Sequence, residues 1–348
     1  MNRYAIAALA LVSLVLAAAC SSSPPASSQT ASADEQASTG QSSEVAADSG
    51  EQADTKLAPG PGSFTPTGLM NDDRNLHAVV LMADGRVMAV GGGGRGGAHT
   101  SNIHQTAEIF DPASGTWART ADMVYERRNT ALALLSDGRV LAVGGGDIHL
   151  DPQKDTDVWD PATGEWAGAA PMSVGRINFT ATLLPDGRVL VVGGGKLDGP
   201  FTDGAEIYDP VSDEWADAGV MSTGRAAHVS ALLPDGTVLV AGGKGKKVTA
   251  EIYDPTANAW TKTGNLLEPR SEVTAVGLSD GRVLVAGGRN LDSSEIYDSS
   301  IGTWTAGPAM TDSRHRYGVM ALDDGAVLFV GGETSEGSSA ATEIYSPQ

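Results

Sequence analysis

Residues 225–260 read RAAHVSALLPDGTVLVAGGKGKKVTAEIYDPTANAW, and this stretch decides the fold. Two runs of mostly apolar residues flank Asp235-Gly236, a pair typical of a β-hairpin turn because glycine supplies a positive φ. The paired glycines after the second run let two backbones approach closely. The Tyr-Asp-Pro segment at 253–255 predicts the end of a third strand, since proline cannot donate to a strand ladder. Trp260 then opens a fourth strand.

This pattern occurs six times between residues 63 and 348. The first glycine of each pair stands at Gly91, Gly144, Gly193, Gly242, Gly287 and Gly331. The turn aspartate stands at Asp84, Asp137, Asp186, Asp235, Asp280 and Asp324. Ten residues before it is an arginine, at Arg74, Arg127, Arg176, Arg225, Arg270 and Arg314. Four strands per unit at this period predict an all-β, six-bladed β-propeller.

The last copy ends before its fourth strand, and the missing strand is predicted at the other end of the repeat region. Residues 63–70 read SFTPTGLM and align with EWADAGVM at 214–221, so that Phe64 stands in the tryptophan position. We expect residues 63–70 to complete the sixth blade beside Tyr345. Such a strand removes two free sheet edges and closes the ring.

The order of arginine, apolar run, Asp-Gly, Gly-Gly, Glu-x-Tyr-Asp-Pro and tryptophan resembles kelch repeats, and the resemblance covers residues 63 to 348. It is specific for the fold and uninformative about function, because kelch propellers include protein-binding modules, carbohydrate-active enzymes and galactose oxidase. The oxidase requires a Cys-Tyr crosslink at a copper site. The single cysteine, Cys20, lies outside the repeats, so this chemistry is excluded.

The N-terminus predicts a targeting segment. A positive charge at Arg3 precedes an apolar run from residue 5 to 19 that ends in alanines, the pattern of a signal peptide. Cys20 directly after those alanines resembles a bacterial lipoprotein signal, in which that cysteine is lipidated. The sequence departs from that family in having Ala17, with Leu16 one position too early. The alternative is an ordinary secretory signal with an unrelated cysteine.

Three segments are therefore predicted: a signal peptide at 1–19, a tether at 20–62 and a kelch propeller at 63–348. The tether is rich in Ser, Ala, Gln and acidic residues and has no aromatic residue, so it cannot bury enough apolar area to fold. The expected location is the bacterial cell envelope, through lipid on Cys20 only, with secretion as the alternative.

Composition excludes several functions. The 348 residues include 43 Asp plus Glu against 23 Lys plus Arg, a net charge of -20, which repels nucleic acid. A single cysteine excludes an intramolecular disulfide and a cysteine-rich zinc site. The glycine-rich runs lack the Lys-Ser/Thr pair of a phosphate-binding loop. We predict no cofactor and no metal.

The six arginines have two interpretations. An acid opens each third strand, at Glu108, Asp157, Glu206, Glu251, Glu295 and Glu343, and falls at the same face of the propeller as the arginine. The six could form a cationic ring that binds an anionic ligand. They could also form structural ion pairs that hold blades and loops. One pair per blade favours the structural ring, because a binding site needs asymmetry.

Asymmetry appears directly after these arginines. The candidate ligand-binding residues are Asn129, Asn178, Glu272, Arg316, His315 and Arg128. If their loops line the mouth of the central channel, they offer hydrogen-bonding partners for a sugar or a polar peptide. The loops after the glycine pairs open onto the same face and vary in length, as recognition surfaces do. One of them carries Lys244, Lys246 and Lys247.

Two functions follow. The favoured one is a lipid-anchored, non-catalytic module that binds a protein or glycan of the cell envelope through this loop face. The alternative is a carbohydrate-active enzyme resembling the six-bladed kelch propellers that interconvert sialic acid anomers. Such an enzyme needs a general acid and base, for which Glu272 with Arg316 or His315 is the best set.

Overall fold

The computed structural model describes residues 69–347 except 73, 75, 94–102, 197–198, 246, 322–324, 331–332, 336 and 339–341. Within this part of the chain all regular structure is β. Five four-stranded antiparallel sheets follow one another along the chain, and a sixth sheet has three strands and an added hairpin. The predicted all-β propeller is confirmed, with five complete blades and one partial blade. No helix in the described ranges is long and apolar enough to cross a bilayer.

The strands are short and regularly spaced. Blades 1 to 3 consist of β1 (Ala78–Leu81), β2 (Val87–Val90), β3 (Ala107–Asp111), β4 (Thr116–Arg119), β5 (Ala131–Leu134), β6 (Val140–Val143), β7 (Thr156–Asp160), β8 (Glu165–Ala169), β9 (Thr180–Leu183), β10 (Val189–Val192), β11 (Gly204–Asp209) and β12 (Glu214–Val220). Blades 4 to 6 consist of β13 (Val229–Leu232), β14 (Val238–Ala241), β15 (Ala250–Asp254), β16 (Ala259–Lys262), β17 (Ala275–Gly277), β18 (Val283–Ala286), β19 (Ser294–Asp298), β20 (Thr303–Ala306), β21 (Gly318–Ala321), β22 (Val327–Val330), β23 (Glu333–Thr334), β24 (Gly337–Ser338) and β25 (Thr342–Tyr345).

The first strand of each blade contacts the first strand of the next blade, from β1 through β21. These strands are therefore the inner ones, nearest the propeller axis. The second strands of blades 2 to 5 are apolar throughout and buried along their whole length, because both of their faces pack against neighbouring sheets. The five hydrophobic clusters of the core lie between consecutive blades.

Aromatic residues hold the outer strands to the preceding blade. In blade 4, Tyr253 pairs in register with Trp260, and their ring centroids are 5.0 Å apart. The indole of Trp260 donates a hydrogen bond to the Ala218 carbonyl of blade 3. The tryptophans of blades 3 and 5 do the same with their own preceding blades. The predicted fourth-strand position of these residues is therefore confirmed.

The glycine pairs lie where one blade meets the next. Gly91 has a φ of +64°, and a Cβ there would lie 2.4 Å from the carbonyl oxygen of Arg127 in blade 2. The next residue, Gly92, donates its N–H to the same oxygen at 2.8 Å. Four further blade junctions repeat this hydrogen bond. Only glycine combines this φ with such a close approach.

The predicted closure of the ring falls mostly outside the described residues, which begin at residue 69. Leu69 and Met70 are described and are not in a strand. The signal peptide, Cys20 and the tether also lie outside the described residues. Ring closure by residues 63–70 stays a prediction.

Candidate functional site

Each blade holds its arginine in the same buried arrangement. In blade 1, one terminal nitrogen of Arg74 donates to the carbonyls of Gly91 and Thr106, both at 2.8 Å, and the other lies 2.9 Å from a Glu108 carboxylate oxygen. The ion-pair distances in blades 2 to 6 are 3.1, 2.9, 3.1, 2.8 and 2.6 Å. The arginines are at most 7 % exposed.

The paired carboxylates also hold the linker that arrives from the preceding blade. Glu108 accepts the backbone N–H of Asn71 at 2.6 Å, and Glu251 accepts that of Ser222 at 2.8 Å. The terminal guanidinium nitrogens of Arg74 and Arg225 are thus used within the protein. These arginines have no exposed charge to offer a ligand, and removing one partner of such a pair leaves an uncompensated buried charge.

Two residues after each arginine, the backbone takes a left-handed conformation in all six blades. The residues concerned have φ between 50° and 59° and are Leu76, Asn129, Asn178, Ala227, Glu272 and Arg316. Their backbones are linked from blade to blade, since Asn129 donates to Leu76, Ala227 to Asn178, Glu272 to Ala227 and Arg316 to Glu272. The backbone is constant while the side chains differ, so the asymmetry at the head of the inner strands lies in the side chains alone.

The side chains of blades 4 to 6 converge on Glu272, which is 11 % exposed. Arg316 Nε lies 3.1 Å from Glu272 Oε2, and Arg289 and Lys244 lie 3.4 and 3.9 Å from the same carboxylate. His315 Nε2 is 3.6 Å from Glu272 Oε2. These residues, together with Glu333, are called the Glu272 cluster below.

Glu333 provides the second carboxylate of the Glu272 cluster. Its Oε2 lies 3.4 Å from His315 Nε2 and 3.4 Å from the Arg316 guanidinium. His315 is held in place through its backbone, which exchanges two hydrogen bonds with Glu333. Its side chain is 9 % exposed, and its Nε2 makes no hydrogen bond with adequate geometry to any described residue.

Burial and neighbouring charges shift the pKa values of Glu272 and His315. Burial raises the pKa of Glu272, but Arg316, Lys244 and Arg289 outweigh it and hold that pKa below its usual value. Burial lowers the pKa of His315 and outweighs the two nearby carboxylates. At neutral pH the Glu272 carboxylate is therefore ionised and the His315 imidazole is uncharged. The cluster contains three basic side chains and two acidic ones, on a chain that is acidic as a whole.

A cavity of about 290 Å³ opens beside the cluster. It is lined by Arg289, Asn290, Ser313, His315, Glu333, Thr334 and Ser335. Among the described residues its walls offer charged groups, an amide and hydroxyls and no aliphatic side chain. This composition suits a polar ligand that both donates and accepts hydrogen bonds.

The structure brings three of the six candidate residues together: Glu272, His315 and Arg316. Arg128 is turned inward, 2 % exposed, and donates to the carbonyls of Asp147 and Ile148 in its own blade. Asn129 and Asn178 share the left-handed backbone position, and neither makes a side-chain hydrogen bond to the cluster within the described ranges. The cluster is therefore confined to blades 4 to 6.

Arg289 and Glu333 were not among the site residues predicted from the sequence. Both directly follow a glycine pair, as does Lys244, whereas Gly93, Gly146 and Gly195 occupy this position in blades 1 to 3. Backbone bridges join this position to the residue after the arginine, as between Glu333 and His315. The position after the glycine pair is therefore glycine in blades 1 to 3 and charged in blades 4 to 6, and this difference marks the blades that carry the Glu272 cluster.

Comparisons with known proteins agree with the fold. A model of the kelch motif matches residues 74–124, which include all of blade 1. A solved structure titled "Structure of YjhT" superposes with a TM-score of 0.62 at 16% identity and covers 81% of this chain and 97% of that chain. At this identity the likeness shows the fold alone. Comparison with curated proteins gives no match.

Proposed function

We propose that this protein is a non-catalytic binding module of the bacterial cell envelope, anchored by lipid on Cys20, that recognises a protein or glycan through its loop face. The proposed location at the cell envelope is supported by the apolar run before Cys20 and by the polar segment after it. The recognition role is supported by the Glu272 cluster, the observation that carries the proposal.

The cluster suits binding because its basic side chains outnumber its acidic ones and some of them are exposed to solvent. Arg289 is 64 % exposed and Arg316 is 35 % exposed, so both have donors available for a ligand. Loops of three different blades contribute, which gives a site without the sixfold regularity of the scaffold. A ligand with hydroxyl, amide or anionic groups matches these donors and the cavity beside them.

The enzyme alternative has one observation in its favour, the proximity of Glu272, His315 and Arg316. General acid–base catalysis at neutral pH requires a pKa near the working pH. The pKa of Glu272 is instead lowered, so its carboxylate is a poor proton donor and a weak base. The lowered pKa of Glu272 therefore favours the binding function over acid–base catalysis at this cluster.

The test combines partner capture with two matched variants. Arg289→Gln removes an exposed cation from the cluster, and Arg282→Gln removes an arginine from a hairpin turn at the opposite face. We expect a glycan array or an envelope crosslinking experiment to identify a partner whose retention falls with Arg289→Gln and not with Arg282→Gln. Equal retention by both variants would remove the loop-face proposal.

Two further measurements address the anchor and the alternative. Mass spectrometry of the mature N-terminus should show a diacyl or triacyl modification on Cys20, and an unmodified N-terminus elsewhere contradicts lipid anchoring. A mutarotation assay on sialic acid should show no turnover. Turnover that is lost in Glu272→Gln, with the fold retained, would establish the enzyme instead.

A further inference from the structure

A second cavity opens on the loop face of blade 2, away from the Glu272 cluster. It measures about 190 Å³ and is lined by Tyr125, Glu126, Arg127, Asp147, Gln153 and Asp155. The first three residues belong to the linker that enters blade 2, and the others belong to the loop between β6 and β7. We call this cavity the Tyr125 pocket.

The charge of the Tyr125 pocket is negative. Arg127 pairs with Asp157, which is fully buried behind the pocket. The carboxylates of Glu126 and Asp155 have no ion-pair partner among the described residues. That of Asp147 accepts two backbone N–H groups and interacts electrostatically with the neighbouring Arg128. Three carboxylates thus line the pocket, Arg127 is already paired with Asp157 and only Arg128 opposes the three, so the net charge is negative.

Polar groups at the back of the pocket are incompletely bonded. Arg127 Nε and Asp157 Oδ1 have no hydrogen-bond partner among the described residues, although both side chains are at least 99 % buried. Burial raises the pKa of Asp157 despite the neighbouring Arg127. Additional positive charge nearby would stabilise the ionised form of this carboxylate.

The two linkers beside the pocket carry exposed apolar side chains, which we call its rim. Val124, Tyr125 and Val174 are 48 %, 42 % and 46 % exposed. Val174 belongs to the linker of blade 3, whose Arg176 N–H bonds the Gln153 carbonyl, so the two linkers flank the same loop. A tyrosine ring attracts cations through its face, and Arg127 already lies 5.8 Å from the centroid of Tyr125.

We propose that the Tyr125 pocket binds a lysine or arginine side chain of a protein partner. Its volume is below the about 300–1,000 Å³ of small-molecule sites, so it accommodates one side chain rather than a whole ligand. The carboxylates and the tyrosine supply the attraction for the cation, and the apolar rim packs against residues that flank it. This inference deepens the proposed binding function, on which it rests, and selects a protein partner over a glycan.

The experiment uses the full-length protein and five-residue peptides with one central residue between two leucines. The central residue is arginine, lysine, the neutral isostere citrulline, or glutamate. We expect the arginine and lysine peptides to bind at least about tenfold more tightly than the citrulline peptide, and the glutamate peptide not to bind. Titration calorimetry measures each affinity.

Protein variants then locate the bound cation. Asp155→Asn and Glu126→Gln should each weaken binding of the arginine peptide by about fivefold. Tyr125→Ala should weaken it by about threefold, while Tyr125→Phe should retain it. Glu165→Gln removes the same charge from the exposed start of β8 in the same blade and serves as the matched control.

Each outcome decides the question. Equal affinity for arginine and citrulline, or equal effects of Asp155→Asn and Glu165→Gln, overturns the assignment of the Tyr125 pocket. Loss of the arginine peptide in Arg289→Gln alone moves peptide binding to the Glu272 cluster. If cationic peptides fail while a partner still depends on Arg289, only this inference is lost and the proposed function stands.

Discussion

Lengthening one acidic residue should stabilise the propeller. Asp157 is the only aspartate among the six acids that pair with these arginines. One of its carboxylate oxygens, Oδ2, accepts every hydrogen bond that the side chain makes, from the N–H groups of Val124 and Tyr125 and from the Arg127 guanidinium, at 3.1 to 3.3 Å. The other carboxylate oxygen has no partner. The glutamates of blades 1, 3 and 5 are one methylene longer, and they also reach the arginine Nε, at 3.2, 3.3 and 2.8 Å.

The expected gain follows from these contacts. An unsatisfied buried acceptor costs about 1–3 kcal/mol, and inserting a methylene into a filled core costs about as much. Here Arg127, the partner of Asp157, lines the Tyr125 pocket and can shift into it, while blade 4 shows that a glutamate can still leave the arginine Nε without a partner. We therefore expect Asp157→Glu to raise the free energy of unfolding by about 1 kcal/mol, or the melting temperature by about 2 °C.

The reciprocal variant supplies the control. Glu206→Asp shortens the acid of blade 3 and should destabilise by about 2 kcal/mol, because it loses a bond to Arg176 and leaves a small void. Thermal unfolding by circular dichroism and chemical unfolding in urea measure both variants. If Asp157→Glu destabilises while Glu206→Asp has no effect, the reach of the carboxylate does not determine the strength of these pairs.

Three further predictions concern backbone, pH and ring closure. Gly287→Ala should lower the free energy of unfolding by about 3 kcal/mol, because the added Cβ would lie 2.4 Å from the Arg314 carbonyl oxygen at a φ of +64°. Gly85→Ala should lower it by only about 1 kcal/mol, because a Cβ there meets no atom within 4 Å. Equal losses of stability in urea unfolding would contradict the packing argument. Burial lowers the pKa of His77 to about 4 and of His228 to about 3, so the unfolded chain binds more protons than the folded chain below about pH 6.5. As the pH is lowered through that window, the free energy of unfolding should fall by up to about 1.4 kcal/mol per pH unit for each histidine. A His77→Gln/His228→Gln variant whose stability keeps the same dependence on pH would refute this. Deleting residues 63–70 should lower the melting temperature strongly and deleting residues 21–58 should not; similar melts for both truncations would show that the ring is not closed by this segment.

Much of the fold could be predicted from the sequence because the repeat carries local signals. The Asp-Gly turns, the glycine pairs and the tryptophans each have a conformational requirement that few residues meet. The position of the arginine and of the acid at one face follows from strand direction alone. Their pairing within one blade, rather than between blades, needed the hydrogen bonds of the structure.

The candidate site was only half visible in the sequence. Glu272, His315 and Arg316 stand out because they break the repeat beside the arginines. Arg289 and Glu333 belong to the loops after the glycine pairs. Arg289 reaches Glu272 of its own blade, whereas Glu333 reaches His315 and Arg316 and is held beside His315 by a backbone bridge. The Tyr125 pocket was not visible, since its acidic residues look like ordinary solvated loop positions.

The order of residues along the chain determined the number of blades, the strands within each blade and the excess of negative charge. Those features depend on interactions between residues that are near in sequence or recur at a fixed spacing. The tertiary structure decided which charges meet. Lys244, Glu272 and Glu333 are separated by tens of residues and converge because neighbouring blades bury apolar faces against each other, which brings loops of different copies to one edge of the propeller.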